Sequence, residues 1–377
     1  MTHRQTFRRR RSLALALIVA WAAGTTLPAP RAAALPMYAS RMGATCNTCH
    51  VDPNGGGIRN EFGFAYLRNR HATEPEERWS SVTVDPKLNE WITLGMDLRV
   101  LYYASHVNGG STISTSTFFP MQGQVNVAVM PHQHLTLVAS HGMVVDEPGF
   151  PYGYVAREIY GMIEGLPAGI YGRIGRFRIP FGLRQDDHTS FIRRDYLPYD
   201  SQKPDAGLEV GRIGTQLFAQ FSFTDGTTPF NERAQTVAAK IGRASKRYQS
   251  GLSGFHRYSD ASGDRFDRWA LYASTTLGRL TLLGEAGAGT NRVAGEIRNM
   301  EAAFAEADYR LMRGLNLRAK WDYFDFDRGS SAGRRWRLTG EADVNPMPFV
   351  EMKLSYRHYE NVAGVDQEYL ALFYFPF

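Results

Sequence analysis

Ile92-Thr93-Leu94-Gly95-Met96-Asp97-Leu98-Arg99-Val100 alternates large apolar residues with small or polar ones, one by one. Successive side chains of a β-strand point to opposite faces, so this period of two predicts a strand with one apolar and one polar side. The pattern returns where Leu315, Leu317, Ala319, Trp321 and Tyr323 interleave with Asn316, Arg318, Lys320 and Asp322. It returns again where Val350, Met352, Leu354 and Tyr356 are set against Glu351, Lys353, Ser355 and Arg357. From Glu90 onward, segments of about ten residues repeat it, as transmembrane barrel strands do.

A soluble sandwich also alternates, and the connections separate the two classes. Met130-Pro131-His132-Gln133, Gly165-Leu166-Pro167-Ala168 and Asn345-Pro346-Met347-Pro348 read as tight turns. Asn108 to Ser116, Thr224 to Glu232, Asn291 to Glu296 and Asp327 to Arg334 read as longer, polar loops. Short turns on one side and long loops on the other mark an outer-membrane β-barrel, and the count comes to about 16 strands, an even number that returns both ends to the periplasm. In the last segment Tyr369, Phe373, Phe375 and Phe377 share a face. An interfacial aromatic girdle explains that face, and a terminal phenylalanine resembles the assembly signal of many outer-membrane proteins. Leu370, Leu372 and Tyr374 would then face the lumen, an apolar surface suited to an internal plug. No apolar run reaches the roughly 20 residues of a membrane helix. The expectation is an all-β, antiparallel outer-membrane barrel over residues 89–377.

The longest connection, Phe181 to Asp205, carries Arg184, Asp186, Asp187, His188, Arg193, Arg194, Asp195 and Lys203. It can fold inward to narrow the channel or stand outside in water, and the sequence leaves both open. Just before it, Gly172-Arg173-Ile174-Gly175-Arg176-Phe177-Arg178-Ile179-Pro180-Phe181-Gly182 resembles one strand of the phosphate-selective porins. That resemblance implies lumen arginines at 173, 176 and 178, with a bulge near Gly175 shifting the phase.

The other end of the chain is built differently. Arg8 to Arg11 lead into the apolar stretch Leu13 to Ala23 and then Ala32-Ala33-Ala34, the order of a secretory signal peptide cleaved near residue 34. The arginine pair also suits twin-arginine export. Residues 1–34 hold six arginines and no acid, so the formal net charge of +6 belongs to this segment and the exported chain is neutral. A basic nucleic-acid-binding surface is therefore not implied.

The chain has two cysteines, too few and too close for a disulfide-stapled scaffold. They stand in Cys46-Asn47-Thr48-Cys49-His50, the C-x-x-C-H pattern of covalent haem attachment. Two thiols form thioethers to the haem vinyls, and the imidazole that follows ligates the iron. A Cys46–Cys49 redox disulfide and half of a zinc site are the competing readings, the latter lacking a second ligand pair. Export to the compartment where such haems are attached favours one haem c on Cys46, Cys49 and His50. Met37, Met42 and His71 are candidates for the sixth ligand. Met42 lies only four residues before Cys46, whereas His71 approaches freely from beyond Gly55-Gly56-Gly57 and is favoured. Residues 35–88 are too short to enclose a haem alone, so this segment is expected to plug the barrel and borrow its walls.

With Ala34, Pro36, Tyr38, Ala39 and Gly43 ahead of the haem motif and Pro53, Phe62 and Gly63 after it, the chain resembles the fused monohaem cytochrome-porins of iron-oxidising bacteria. It shares their order of signal, single-haem segment and barrel. It departs in Gly55 to Gly57 and in Phe64-Ala65-Tyr66, where that family tends to be basic. The resemblance implies an outer-membrane electron conduit between an extracellular donor such as Fe(II) and a periplasmic carrier such as a soluble cytochrome. Two other readings stand beside it. A porin for anions or small solutes would use the haem segment as an accessory, and a sheath barrel would surround a separate multihaem cytochrome, against which His50 directly after Cys49 argues.

Overall fold

The computed structural model describes residues 36–73, 78, 84–107, 113–144, 153–187, 189–197, 204–214, 216–225, 234–246, 248–260, 262–330, 333–360 and 366–377. The expected signal peptide, His188, Lys203 and the expected loop segments 108–112 and 226–233 lie outside the described residues.

Sixteen antiparallel strands close into one barrel. They are β1 (Ile92–Val107), β2 (Ile113–His132), β3 (Leu135–Val144), β4 (Gly153–Ile163), β5 (Ile170–Phe177), β6 (Asp205–Ile213), β7 (Leu217–Thr224) and β8 (Ala234–Ala244). Then follow β9 (Tyr248–Ser259), β10 (Arg265–Leu277), β11 (Leu280–Val293), β12 (Glu296–Met312), β13 (Leu315–Asp325), β14 (Arg334–Met347), β15 (Val350–Glu360) and β16 (Gln367–Pro376). Closure comes from β1 pairing with β16, Leu98 opposite Phe375 and Val100 opposite Phe373. A closed ladder satisfies every backbone group without water, which is what a hydrocarbon environment demands.

The alternation sorts as the sequence predicts. Met96, Val125, Ile159, Leu208, Leu271, Leu317 and Leu354 are exposed on the outside, while Thr93, Asp97, Gln124, Glu209, Arg268, Lys320 and Arg337 are buried within. Trp269, Trp321, Tyr356 and Tyr369 add exposed aromatics to the outer face. The connections after β2, β4, β6, β8, β10, β12 and β14 are short and gather where β1 begins and β16 ends. This is the periplasmic pattern of an outer-membrane barrel.

Two expectations are corrected. Asn291 to Glu296 is not a long loop: β11 and β12 pair out to Val293 opposite Glu296, leaving a two-residue turn with Ala294 at φ 49° and Gly295 at φ 86°. Positive φ at both positions is the usual hairpin geometry. These strand ends are half or fully exposed, so no buried face imposes alternation there. Nor does β5 change phase near Gly175. Tyr171, Arg173 and Phe177 are buried inward while Ile170 and Ile174 are exposed outward. Arg176 therefore falls on the outward register, its Nε donating to the Pro204 carbonyl at 3.2 Å. The irregularity lies in the neighbouring β4, where Ala139 opposes Ile159 but His141 opposes Ala156. A Cβ at Gly175 would stand 2.3 Å from the Ile159 carbonyl oxygen, so glycine there permits a close approach between strands.

The lumen is filled from two directions. The β5–β6 connection folds inward, with a short helix α3 (Phe191–Arg194) whose Phe191 and Ile192 are fully buried, as is Tyr196 just beyond. They pack with wall residues such as Phe218, Phe255 and Tyr272. Asp187 pairs with Lys320 at 3.2 Å, Arg337 at 2.6 Å and Arg357 at 3.3 Å, and Arg193 pairs with Glu285 at 2.7 Å. From the turn end, residues 36–73 enter as a plug comprising α1 (Pro36–Met42), a 3-10 turn (Cys46–Thr48), α2 (Glu61–Tyr66) and a π turn (Leu67–His71). Arg41 in α1 donates to Thr281 at 3.0 Å and to Asn316 at 2.8 Å. Met37 and Tyr38 join the same apolar cluster as the inward loop.

Candidate functional site

The Cys46–His50 motif is held as a compact turn. The backbone N–H groups of Cys49 and His50 both donate to the Cys46 carbonyl at 3.2 Å, which brings the two thiols and the imidazole to one side. Asn60 secures the turn from below: its Nδ2 donates to the Asn47 carbonyl at 2.9 Å, and its N–H donates to the Cys49 carbonyl at 3.0 Å. The same side chain caps α2, accepting from the Gly63 N–H at 3.0 Å, the N-cap role for which asparagine is preferred. At Gly63 a Cβ would lie 2.1 Å from the Cys49 carbonyl oxygen. Helix α2 can rest on the motif only because this residue has no side chain. Between the two, Gly55, Gly56 and Gly57 adopt φ of 85°, 71° and 60°, a run that glycine alone enters without strain.

Cys46, Cys49, His50 and His71 line one cleft. His71 reaches it from the end of the π turn, its ring 4.5 Å from Tyr38 and 5.9 Å from Tyr66. Both imidazoles are buried, and the Nδ1 of each has no hydrogen-bond partner among the described residues. Of the three sixth-ligand candidates, His71 alone lines the cleft: Met37 is packed in the apolar cluster and Met42 faces a different cavity.

Burial pushes the Cys49 thiol up to about 12 and raises Cys46 as well. Burial and the nearby Arg59 charge hold His50 down to about 3. Burial also lowers His71 to about 4, against an opposing pull from Glu351. At neutral pH the site therefore presents two protonated thiols and two neutral imidazoles, the latter being the form that ligates iron.

Barrel strands share the lining of this cleft. Asp97 and Arg99 of β1, Gln122 and Gln124 of β2, Glu351 of β15 and Tyr374 of β16 all face the cleft. Contact with the last strand is polar as well as apolar: Arg59 donates to the Tyr374 hydroxyl at 3.3 Å, and Phe64 packs 5.9 Å from Phe377. Arg99, whose Nε is buried without a hydrogen-bond partner among the described residues, lies over the Tyr374 ring at 4.3 Å. Asp52, two residues past His50, is clamped by Arg173 at 3.0 Å and Arg184 at 3.8 Å. The sequence reading missed Arg59, Arg99 and the Asp52 clamp. A charged residue on the lumen face of an expected strand, as at Arg99, was the signal that could have found the second of these.

The donor set suits a haem c. Paired thiols stand on a C-x-x-C-H turn, two buried neutral imidazoles share their cleft, and the cations Arg59 and Arg99 line it.

The barrel resembles those of outer-membrane porins. OmpT of Vibrio cholerae, as a loop L8 deletion mutant, aligns with a TM-score of 0.60 at 8% identity over 76% of this chain and 99% of its own. An anion-selective porin from Comamonas acidovorans aligns at 0.58 with 11% identity over 76% and 99%. OmpF of Salmonella typhi, in complex with daunomycin, aligns at 0.57 with 10% identity over 76% and 97%. No family model and no curated protein matches the sequence.

Proposed function

We propose that this chain resides in the outer membrane as an electron conduit, holding one haem c covalently on Cys46 and Cys49 with His50 and His71 as iron ligands. Electrons would pass between an extracellular donor, Fe(II) among the candidates, and a periplasmic carrier. The observation that carries this reading is the meeting of the attachment motif and a second buried imidazole in one cleft inside an occluded barrel. When bound, the haem supplies one-electron exchange at iron, and a second histidine in place of methionine keeps its potential low.

The chain's own residues account for the rest. Arg59 and Arg99 would hold the propionates, charge against charge in a partly dry site. Asn60 and Gly63 fix the attachment turn against α2. The Asp52 clamp ties the segment after His50 to β5, so the imidazole keeps its direction. Plug and inward loop together occupy the lumen around the cleft.

Purified protein should give a c-type haem spectrum, keep its haem in denaturant, and be reduced by Fe(II). Cys46→Ala with Cys49→Ala should abolish covalent retention. His71→Ala should retain the haem but lose the low-spin spectrum of a six-coordinate iron. Wild-type protein without haem after expression with cytochrome c maturation would end the proposal.

A second reading is solute passage, favoured by the resemblance to porins, one of them described as anion-selective. Planar-bilayer recordings separate the two, since large open-channel currents from the intact chain support passage and near-silence supports the conduit.

A further inference from the structure

Lumen cations in this barrel are, as a rule, answered by carboxylates. Arg173 lies 3.0 Å from both Asp52 and Glu209. Arg337 bridges Asp187 and Asp322 at 2.6 and 2.7 Å. Arg318 meets Glu306, Asp308 and Glu341 at 3.3, 2.8 and 2.8 Å. Arg268 departs from this, donating to carbonyls and to Asn291, as does Lys240, which lies over Phe218 and Tyr272, and at one end of the barrel several such cations gather.

At the short-turn end, a second cavity opens beside the cleft of the C-x-x-C-H motif. Arg41 of α1, Arg70 of the π turn, Arg279 of the β10–β11 turn, Arg310 of β12 and Arg313 of the β12–β13 turn line it, and among the described residues no aspartate or glutamate does. Among the described residues, three of them donate to neutral groups. Arg41 donates to Thr281 and Asn316, Arg279 to the Leu311 carbonyl at 3.2 Å, and Arg313 to the Asn69 carbonyl at 2.8 Å. Every one of them except Arg41 is exposed. Five like charges around one opening repel one another, and the field they make is strongest where low-dielectric walls focus it.

The position of this basin gives the charge a use. Tyr38, Tyr66 and His71 line both the basin and the haem cleft, so the proposed iron ligand and its aromatic neighbours form the wall between them. We propose that the arginine-ringed mouth is the docking surface for an acidic-faced redox protein of the periplasm, seated against the wall that carries His71. Charge complementarity selects the partner class, and the shared wall brings its redox centre within short range of the haem. A protein face fits better than a single small anion, because the arginines come from separate elements spread around an opening. The inference rests on the conduit reading for its purpose, whereas its test reads binding.

The full-length protein in detergent is titrated with two small c-type cytochromes of similar size, one acidic and one basic, between about 20 and 200 mM salt, a range over which the screening length falls severalfold. The acidic probe should bind more tightly, with an affinity that drops about tenfold or more across the range. Arg70→Glu with Arg310→Glu and Arg313→Glu should weaken the acidic probe about tenfold and favour the basic one, with haem content unchanged. Arg310→Glu alone, at an exposed site, should move both affinities in the same directions by less, which keeps the test valid if the triple variant assembles poorly. Equal binding of both probes, salt-independent affinity, or inorganic phosphate displacing the acidic cytochrome at equimolar concentration would overturn the docking assignment. Protein that stains for haem but shows any of these loses the docking surface and keeps the conduit. Protein without haem loses the conduit, whichever way the binding falls.

Discussion

At the scale of single residues, the segment around the C-x-x-C-H turn depends closely on one missing side chain. Gly63→Ala would place a methyl group 2.1 Å from the Cys49 carbonyl oxygen, and the backbone on both sides must shift to admit it. Overpacking of this kind costs about 1–3 kcal/mol. The expected result is a sharp loss of covalently bound haem while the barrel still migrates as a folded, heat-modifiable species. An unchanged haem yield would show that the turn has room to relax. Cys46, Cys49 and His50 could be read as a set because the motif is local: one turn places all three groups. His71 was legible only as a candidate. What distinguishes it from Met37 and Met42 is which cavity each side chain enters, and that is set by α1 and the π turn packing against a wall hundreds of residues away. Arg59 was invisible for the same reason, whereas Arg99 carried a signal as a charge on the lumen face of an expected strand.

At the scale of elements, the β5–β6 connection shows how charge can be decisive without being legible. Its sequence is equally suited to water and to the lumen. The deciding partners, Lys320, Arg337, Lys353 and Arg357, stand on β13, β14 and β15. Burial by itself would raise the Asp187 carboxyl, but Arg337, Lys320 and Arg357 more than reverse this and hold it well below the usual range. Asp186 is likewise lowered, burial being outweighed first by Lys353 and then by Arg318. The sign follows from linkage. A carboxylate depressed in the folded state stabilises the docked loop fully above its unfolded pKa near 3.9, and that contribution fades only as pH falls below it toward the folded value. Protease protection of residues 181–197 should therefore be the same at pH 7 and pH 5, whereas Asp187→Asn should release the loop at both, since it strips one charge from a buried cluster and leaves cations unanswered. Undocking of the wild-type loop between pH 7 and pH 5 would contradict this. The strands themselves were easier to read than their ends. Alternation marks a strand where lipid and lumen differ, and the β11–β12 hairpin was misread as a loop where both of its faces meet water.

At the scale of the whole molecule, barrel and plug solve each other's problems. Residues 36–73 have too little surface of their own to bury a large macrocycle, and the barrel supplies walls from strands at both its seams. The barrel has a lumen wide enough to leak, and the plug and inward loop occupy it. The two parts are not equally dependent, however. The ladder from β1 to β16 closes without any plug residue, and its outer face meets lipid by its own alternation. Deleting residues 36–73 should therefore leave a barrel that assembles, stays heat-modifiable and binds no haem. The acids and bases it uncovers, Asp97, Glu209 and Arg173 among them, would become hydrated in an aqueous lumen, as porin interiors are. Conductance then reports the plug directly. The intact chain should be nearly silent in a planar bilayer, and the deletion should raise unit conductance by about tenfold, with the β5–β6 loop still narrowing the opening. If the intact chain already conducts as freely as the deletion, the plug does not seal the lumen, and solute passage becomes the better account of the barrel.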